Sequence, residues 1–90
     1  MTIEDFLDTL TPDDVGNEEV DGKIVYFEGF TDLCWDEAKE KGKTVKSLEA
    51  EIIADWSGRN GGLTLLDLGW TNEPVPFEDT IFFAVYEKRT

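Results

Sequence analysis

The sequence predicts a small single α+β domain spanning residues 1–90, with an antiparallel sheet of about three strands packed against two to three helices. Three observations lead there. A chain of 90 residues buries only about 60–65% of its extended surface, which is too little to divide between two cores. A hydrophobic share of 40%, with 12% aromatic residues, can offset chain entropy even beside 32% charged residues. The elements read in order as a short helix, a strand, a helical middle and two closing strands.

Thr2 can cap a first helix over about residues 3–10, where Ile3, Phe6, Leu7 and Leu10 recur on one face. Thr11 and Pro12 offer a second helical start, which Gly16 limits to about one turn. Asp21-Gly22 is a turn pair leading into KIVYFEGF, residues 23–30. Ile24 and Tyr26 on one face of that strand, and Val25 and Phe27 on the other, place it inside the sheet with cover on both sides. Thr31 or Asp32 caps a helix through about Lys41, and Gly42 suits the left-handed residue that ends it.

From Thr44, the stripe Val45, Leu48, Ile52 and Trp56, widened by Ile53, predicts a core-facing helix that SGRNGG, residues 57–62, stops as a helix-to-strand turn. LTLLDLGW (63–70) and TIFFAVYEK (80–88) are the clearest strands. We expect them to pair antiparallel, with the last strand central and a bulge at the change of phase between Leu65 and Leu66. Pro74 and Pro76 discourage regular pairing in the connection. Trp35, Trp70 and the run from Phe77 to Phe83 read as core or rim packing.

Charge is the anomaly, since 21 acids against 8 bases give −13, beyond the magnitude of about 2–8 that solubility asks of a small domain. Residues 1–22 carry −8 with no base, residues 23–60 carry −2, and residues 61–90 carry −3. A chain so acidic has no cationic patch for displacing counterions from phosphates, so direct nucleic-acid binding and anionic membranes are excluded as partners. No run approaches the roughly 18 apolar residues that span a bilayer, and the first twenty residues lack a signal-peptide pattern. Cys34, the only cysteine, forms no internal disulfide and fits a reducing compartment. The expected location is the cytoplasm, a host's cytoplasm if the chain is phage-encoded.

Chemistry is sparsely provided. With no histidine, the commonest general base and metal ligand is missing, so we expect no enzyme and no cofactor. Cys34, between Leu33 and Trp35, is expected to be buried as a small apolar residue. An EF-hand fails in both registers, because position 3 falls on Val15 or on Gly16. SGRNGG lacks the lysine and the strand-loop-helix order of a phosphate loop.

The acidic residues themselves remain. Asp8, Asp13, Asp14, Glu18, Glu19 and Asp21 form an uncompensated main patch, and Asp32, Asp36 and Glu40 fall at i, i+4 and i+8 of a helix as a secondary row. Phe6 and Phe30 lie near the patch but read as core. Rows of fixed carboxylates approximate the charge display of a nucleic-acid backbone, which a lysine- and arginine-rich surface would find complementary. In size and charge the chain resembles DNA-mimic inhibitors as a group, such as phage anti-restriction and anti-CRISPR proteins, and acidic immunity inhibitors of nucleases. That likeness implies a non-enzymatic inhibitor of a basic, nucleic-acid-handling protein and carries no residue across. The alternative is an acidic accessory or adaptor domain that binds through a hydrophobic patch or sheet edge, its charge maintaining solubility.

Overall fold

The computed structural model describes residues 1–59, 61–72 and 79–88, with Asp32 and Lys88 described by their backbone alone. The elements run α1 (Ile3–Leu7), β1 (Val15–Val20), β2 (Lys23–Phe30), α2 (Asp32–Glu40), α3 (Val45–Arg59), β3 (Leu63–Trp70) and β4 (Thr80–Lys88). The α+β class holds, but the antiparallel sheet has four strands in the order β1-β2-β4-β3, not three. β2 and β4 occupy the interior, as their two-sided apolar pattern requires.

The added strand is β1, in the acidic stretch to which the sequence reading assigned no strand. A two-residue turn makes it: Asp21 at φ 53 and Gly22 at φ 74 both adopt the left-handed region, the type I′ geometry whose twist matches a hairpin. Val20 then faces Lys23 across the turn, and pairing continues to Val15 opposite Glu28.

Opposed residues share a face, so the register sorts the core into two layers. On one face Phe30, Phe82, Ala84 and Tyr86 meet Trp35 and Ala38 of α2 and Leu48 of α3. Val45, Ile52, Ile53 and Trp56 complete that layer, as their helical spacing predicts. Trp70 packs edge-on against Phe30 and Phe82 and tilted against Trp35, and its indole N–H donates to Glu49 Oε1 at 2.8 Å, fastening α3 to β3. On the opposite face Val20, Val25 and Val85 pack beneath Ile3, Phe6 and Leu7 of α1. Phe6 meets Phe27 edge-on, so Phe6 and Phe30 both serve the interior.

Local signals decide most boundaries. Thr2 Oγ1 accepts the Asp5 N–H at 3.1 Å and caps α1, which ends at Leu7 rather than residue 10. Gly42 closes α2 at φ 70. α3 continues through Ser57, Gly58 and Arg59, three residues into the expected stop; the Arg59–Asp55 ion pair at 3.1 Å lies on this last turn. Asn60, Pro74, Pro76 and Phe77 lie outside the described residues. The register shift between Leu65 and Asp67 is the expected bulge.

Candidate functional site

The acidic N-terminal region is positioned by one close crossing. After α1 the chain passes over β2 at Gly29, where a Cβ would meet the carbonyl group of Pro12 and lie 2.7 Å from Pro12 Cα. Only glycine fits such an approach. The Gly29 N–H donates to the Asp14 carbonyl at 2.8 Å, and the Asp14 carboxylate accepts the Thr11 N–H at 2.7 Å. Residues 11–14 are thereby pinned to the sheet.

From there the predicted main patch wraps an edge instead of covering one face. Asp8 stands at the C-cap of α1, where the helix dipole disfavours a negative charge. Asp13 is exposed beside the crossing, and Asp14 is half-buried in its turn role. Glu18 lies opposite Val25 on the α1 side of the sheet, whereas Glu19 lies opposite Ile24 on the α2/α3 side. Asp21 occupies the hairpin tip. Five of the six therefore lie on β1, its hairpin tip or the crossing that leads into it and point to different sides, while Asp8 is placed by α1. Carboxylates along an edge strand also oppose its pairing with foreign strands.

The secondary row is only partly comparable. Asp36 and Glu40 are exposed on α2 and flank Lys39, while the Asp32 side chain is outside the described residues. The helical layer is partly neutralised by Lys41–Glu37 at 2.7 Å, Lys43–Glu51 at 3.1 Å and the Arg59–Asp55 pair. These three pairs lie on the α2/α3 layer, whereas the β1–β2 hairpin holds a single base, Lys23, opposite Val20.

A second feature escaped the sequence reading. An open cleft of about 410 Å³ lies between α2 and α3 over β2. Tyr26, Glu28 and Phe30 form its floor; Cys34, Glu37, Ala38 and Lys41 form the α2 wall; Lys43, Leu48, Glu51, Ile52 and Asp55 form the other. Glu28 is half-buried, and Tyr26 Oη donates to its Oε2 at 3.4 Å. Burial raises the Glu28 pKa above the ordinary carboxylate range; the Tyr26 hydrogen bond opposes this and the Asp55 charge adds to it. The Tyr26 hydroxyl is pushed up to about 12, first by burial and then by the neighbouring Glu28. The signal available in the sequence was an acid at a core-facing position of β2, in phase with Ile24, Tyr26 and Phe30.

Cys34 corrects an expectation, because it is exposed on the cleft wall with Sγ 3.7 Å from Thr31 Oγ1. Trp35 and Ala38, three residues apart, take the inward face of α2, and Cys34 borders that face where the cleft leaves it open to solvent.

A second hollow, of about 420 Å³ and mainly apolar, lies between α1 and β3, formed by Ile3, Leu7, Leu66, Phe83 and Val85 with Glu4, Lys23 and Asp67 at the rim. Leu66, which lines it, is exposed, and Leu65 and Leu68 are exposed on the other face of the same edge strand, opposite Tyr86 and Ala84. Among the described residues no three His, Cys, Asp or Glu side chains gather to hold a metal ion, and no helix is long and apolar enough to cross a membrane. Comparison with protein-family models, curated proteins and solved structures finds no match to this chain.

Proposed function

We propose that this protein is a non-enzymatic inhibitor that occupies the basic nucleic-acid-binding surface of a partner, such as a nuclease or a restriction or CRISPR defence complex. The observation that carries this reading is the β1 margin, where carboxylates of a base-free segment are mounted on a hairpin and a pinned crossing. The molecule is 41 Å long, a length over which duplex DNA carries about 24 charges. A net charge of −13 is about half of that and is sufficient to steer a cationic partner into encounter. The chain makes its charge with fixed side chains on a folded frame, so a partner meets a defined shape.

The test reverses Asp13, Glu18, Glu19 and Asp21 to lysine. All four are exposed, and Asp14 is spared because its carboxylate holds the crossing. Each reversal adds two charges, moving the net from −13 to −5. A partner captured at about 50 mM salt should be displaced by duplex DNA, released near 500 mM salt, and not captured by the reversed variant. Capture that duplex DNA does not displace would refute the reading.

Leu66 at the apolar hollow, with Leu65 and Leu68 exposed on the other face of the same edge strand, favours a second reading, an adaptor domain that binds around the β3 edge. Under it, the complex survives high salt and the four reversals but is lost on Leu66→Lys with Leu68→Lys.

A further inference from the structure

The cleft between α2 and α3 is amphipathic in section. Phe30, Ala38, Leu48 and Ile52 give it an apolar lining, while its rim carries Glu37, Glu51 and Asp55 against two lysines and its floor carries Glu28. Those lysines are engaged, Lys41 with Glu37 and Lys43 with Glu51, and Asp55 has Arg59. Glu28 differs from the others. It is half-buried on the floor, its polar contact is the long hydrogen bond from Tyr26, and among the described residues no ion pair reaches it. A carboxylate withdrawn from water without a counter-ion is an unfavourable arrangement that an arriving cation relieves.

We infer that this cleft receives a cationic side chain of the partner protein, a guanidinium in particular, with Glu28 as its counter-ion. The inference rests on the reading of the chain as a binder of basic surfaces and names the residue that makes the contact specific. A long cationic side chain suits the section of the cleft, its methylene stem against Leu48 and Ile52 and its head at the carboxylates. Guanidinium is favoured over ammonium because it is weakly hydrated and carries several N–H donors in a fixed plane, able to serve Glu28 while Tyr26 occupies one oxygen. The cleft also adjoins the β1 margin, since Val15 pairs with Glu28 and Asn17 with Tyr26, and both are exposed on β1. A basic surface attracted to that margin therefore arrives at the mouth of the cleft.

The experiment needs no partner. N-acetyl-arginine amide is titrated into ¹⁵N-labelled protein, with N-acetyl-citrulline amide as the neutral isostere and spermidine as a free polyamine. The expected result is saturable shifts at Tyr26, Glu28 and Lys43 with the arginine probe, none with citrulline, and about tenfold weaker binding in Glu28→Gln. Asp55→Asn, at the rim, should weaken binding only about twofold and guards against a Glu28 variant that misfolds. The variant with Asp13, Glu18, Glu19 and Asp21 reversed to lysine should bind the probe as the parent does. Arginine shifts that scatter over Glu18, Glu19 and Asp21, or that persist unchanged in a folded Glu28→Gln, would overturn the assignment. Spermidine binding more tightly than arginine would overturn the choice of a protein side chain. Since no partner enters this titration, a cleft that ignores arginine leaves the DNA-displacement test intact, and failure of that test leaves the cleft result standing.

Discussion

Gly29→Ala should be among the most damaging single-methyl additions to this fold. The new Cβ would point at the Pro12 carbonyl, with Pro12 Cα at 2.7 Å, so backbone and not a flexible side chain must yield. Overpacking of this kind costs about 1–3 kcal/mol. Moving Pro12 also strains the Gly29 N–H to Asp14 carbonyl bond, worth about 1 kcal/mol. The reduced freedom of alanine in the unfolded chain returns about 0.4–1 kcal/mol. The net loss is about 2–3 kcal/mol, and at about 4–8 °C per kcal/mol for a domain of this size the midpoint should fall by roughly 10–20 °C. Gly58→Ala is the control. A Cβ there has nothing within 4 Å and the position is helical, so the midpoint should rise by a few degrees, about 0.5–1 kcal/mol. Thermal melts followed by circular dichroism decide the matter. A Gly29→Ala protein melting within about 3 °C of the parent would mean that residues 11–14 are not pinned across β2, and the rigid-margin basis of the proposed function would go with it.

Other outcomes follow from the charges and the phenol. Because the Glu28 pKa is raised on folding, the unfolded chain releases that proton first, so stability from this group is full at acid pH and is lost as pH rises through the raised value. Glu28→Gln should therefore be more stable than the parent at pH 7, with the gap closing towards about pH 4; a constant gap in melting temperature would refute this, since Glu37, Glu51, Asp55, Lys41 and Lys43 face the cleft in both proteins. Tyr26, raised to about 12, should contribute stability that is present below pH 10 and lost between pH 10 and 12, and a tyrosinate absorbance step for Tyr26 near pH 10 in the folded protein would contradict its burial. Repulsion along the β1 margin is screened by salt, so about 0.5 M NaCl should raise the midpoint by roughly 2–6 °C, and a flat response would mean the carboxylates are already compensated.

Much of the fold was legible because its signals are local. Branched and aromatic runs gave β2, β3 and β4, the 3.6-residue stripe gave α3, and the doubled leucine marked the bulge. β1 was not legible, because VGNEEV buries only Val20 and is otherwise glycine, amide and carboxylate. The Asp21-Gly22 turn was visible, but what makes VGNEEV a strand is backbone pairing with the edge of β2, which its side chains do not signal. The same limit hid the cleft. Glu28 could be seen as an acid within an apolar strand, but its surroundings come from α2 and α3, which meet over it only in three dimensions. Cys34 was misread for a related reason, since its apolar neighbours Leu33 and Trp35 go to different sides of the helix: Leu33 is 80% exposed and Trp35 is 7% exposed.

The exposure of Cys34 gives the molecule a built-in reporter. As the sole thiol, standing on the wall beside Glu37 and Lys41, it can carry a single environment-sensitive dye without any engineered cysteine. Emission from that dye would register occupancy of the neighbouring space in real time, and its quenching or brightening on mixing would yield entry and exit rates directly.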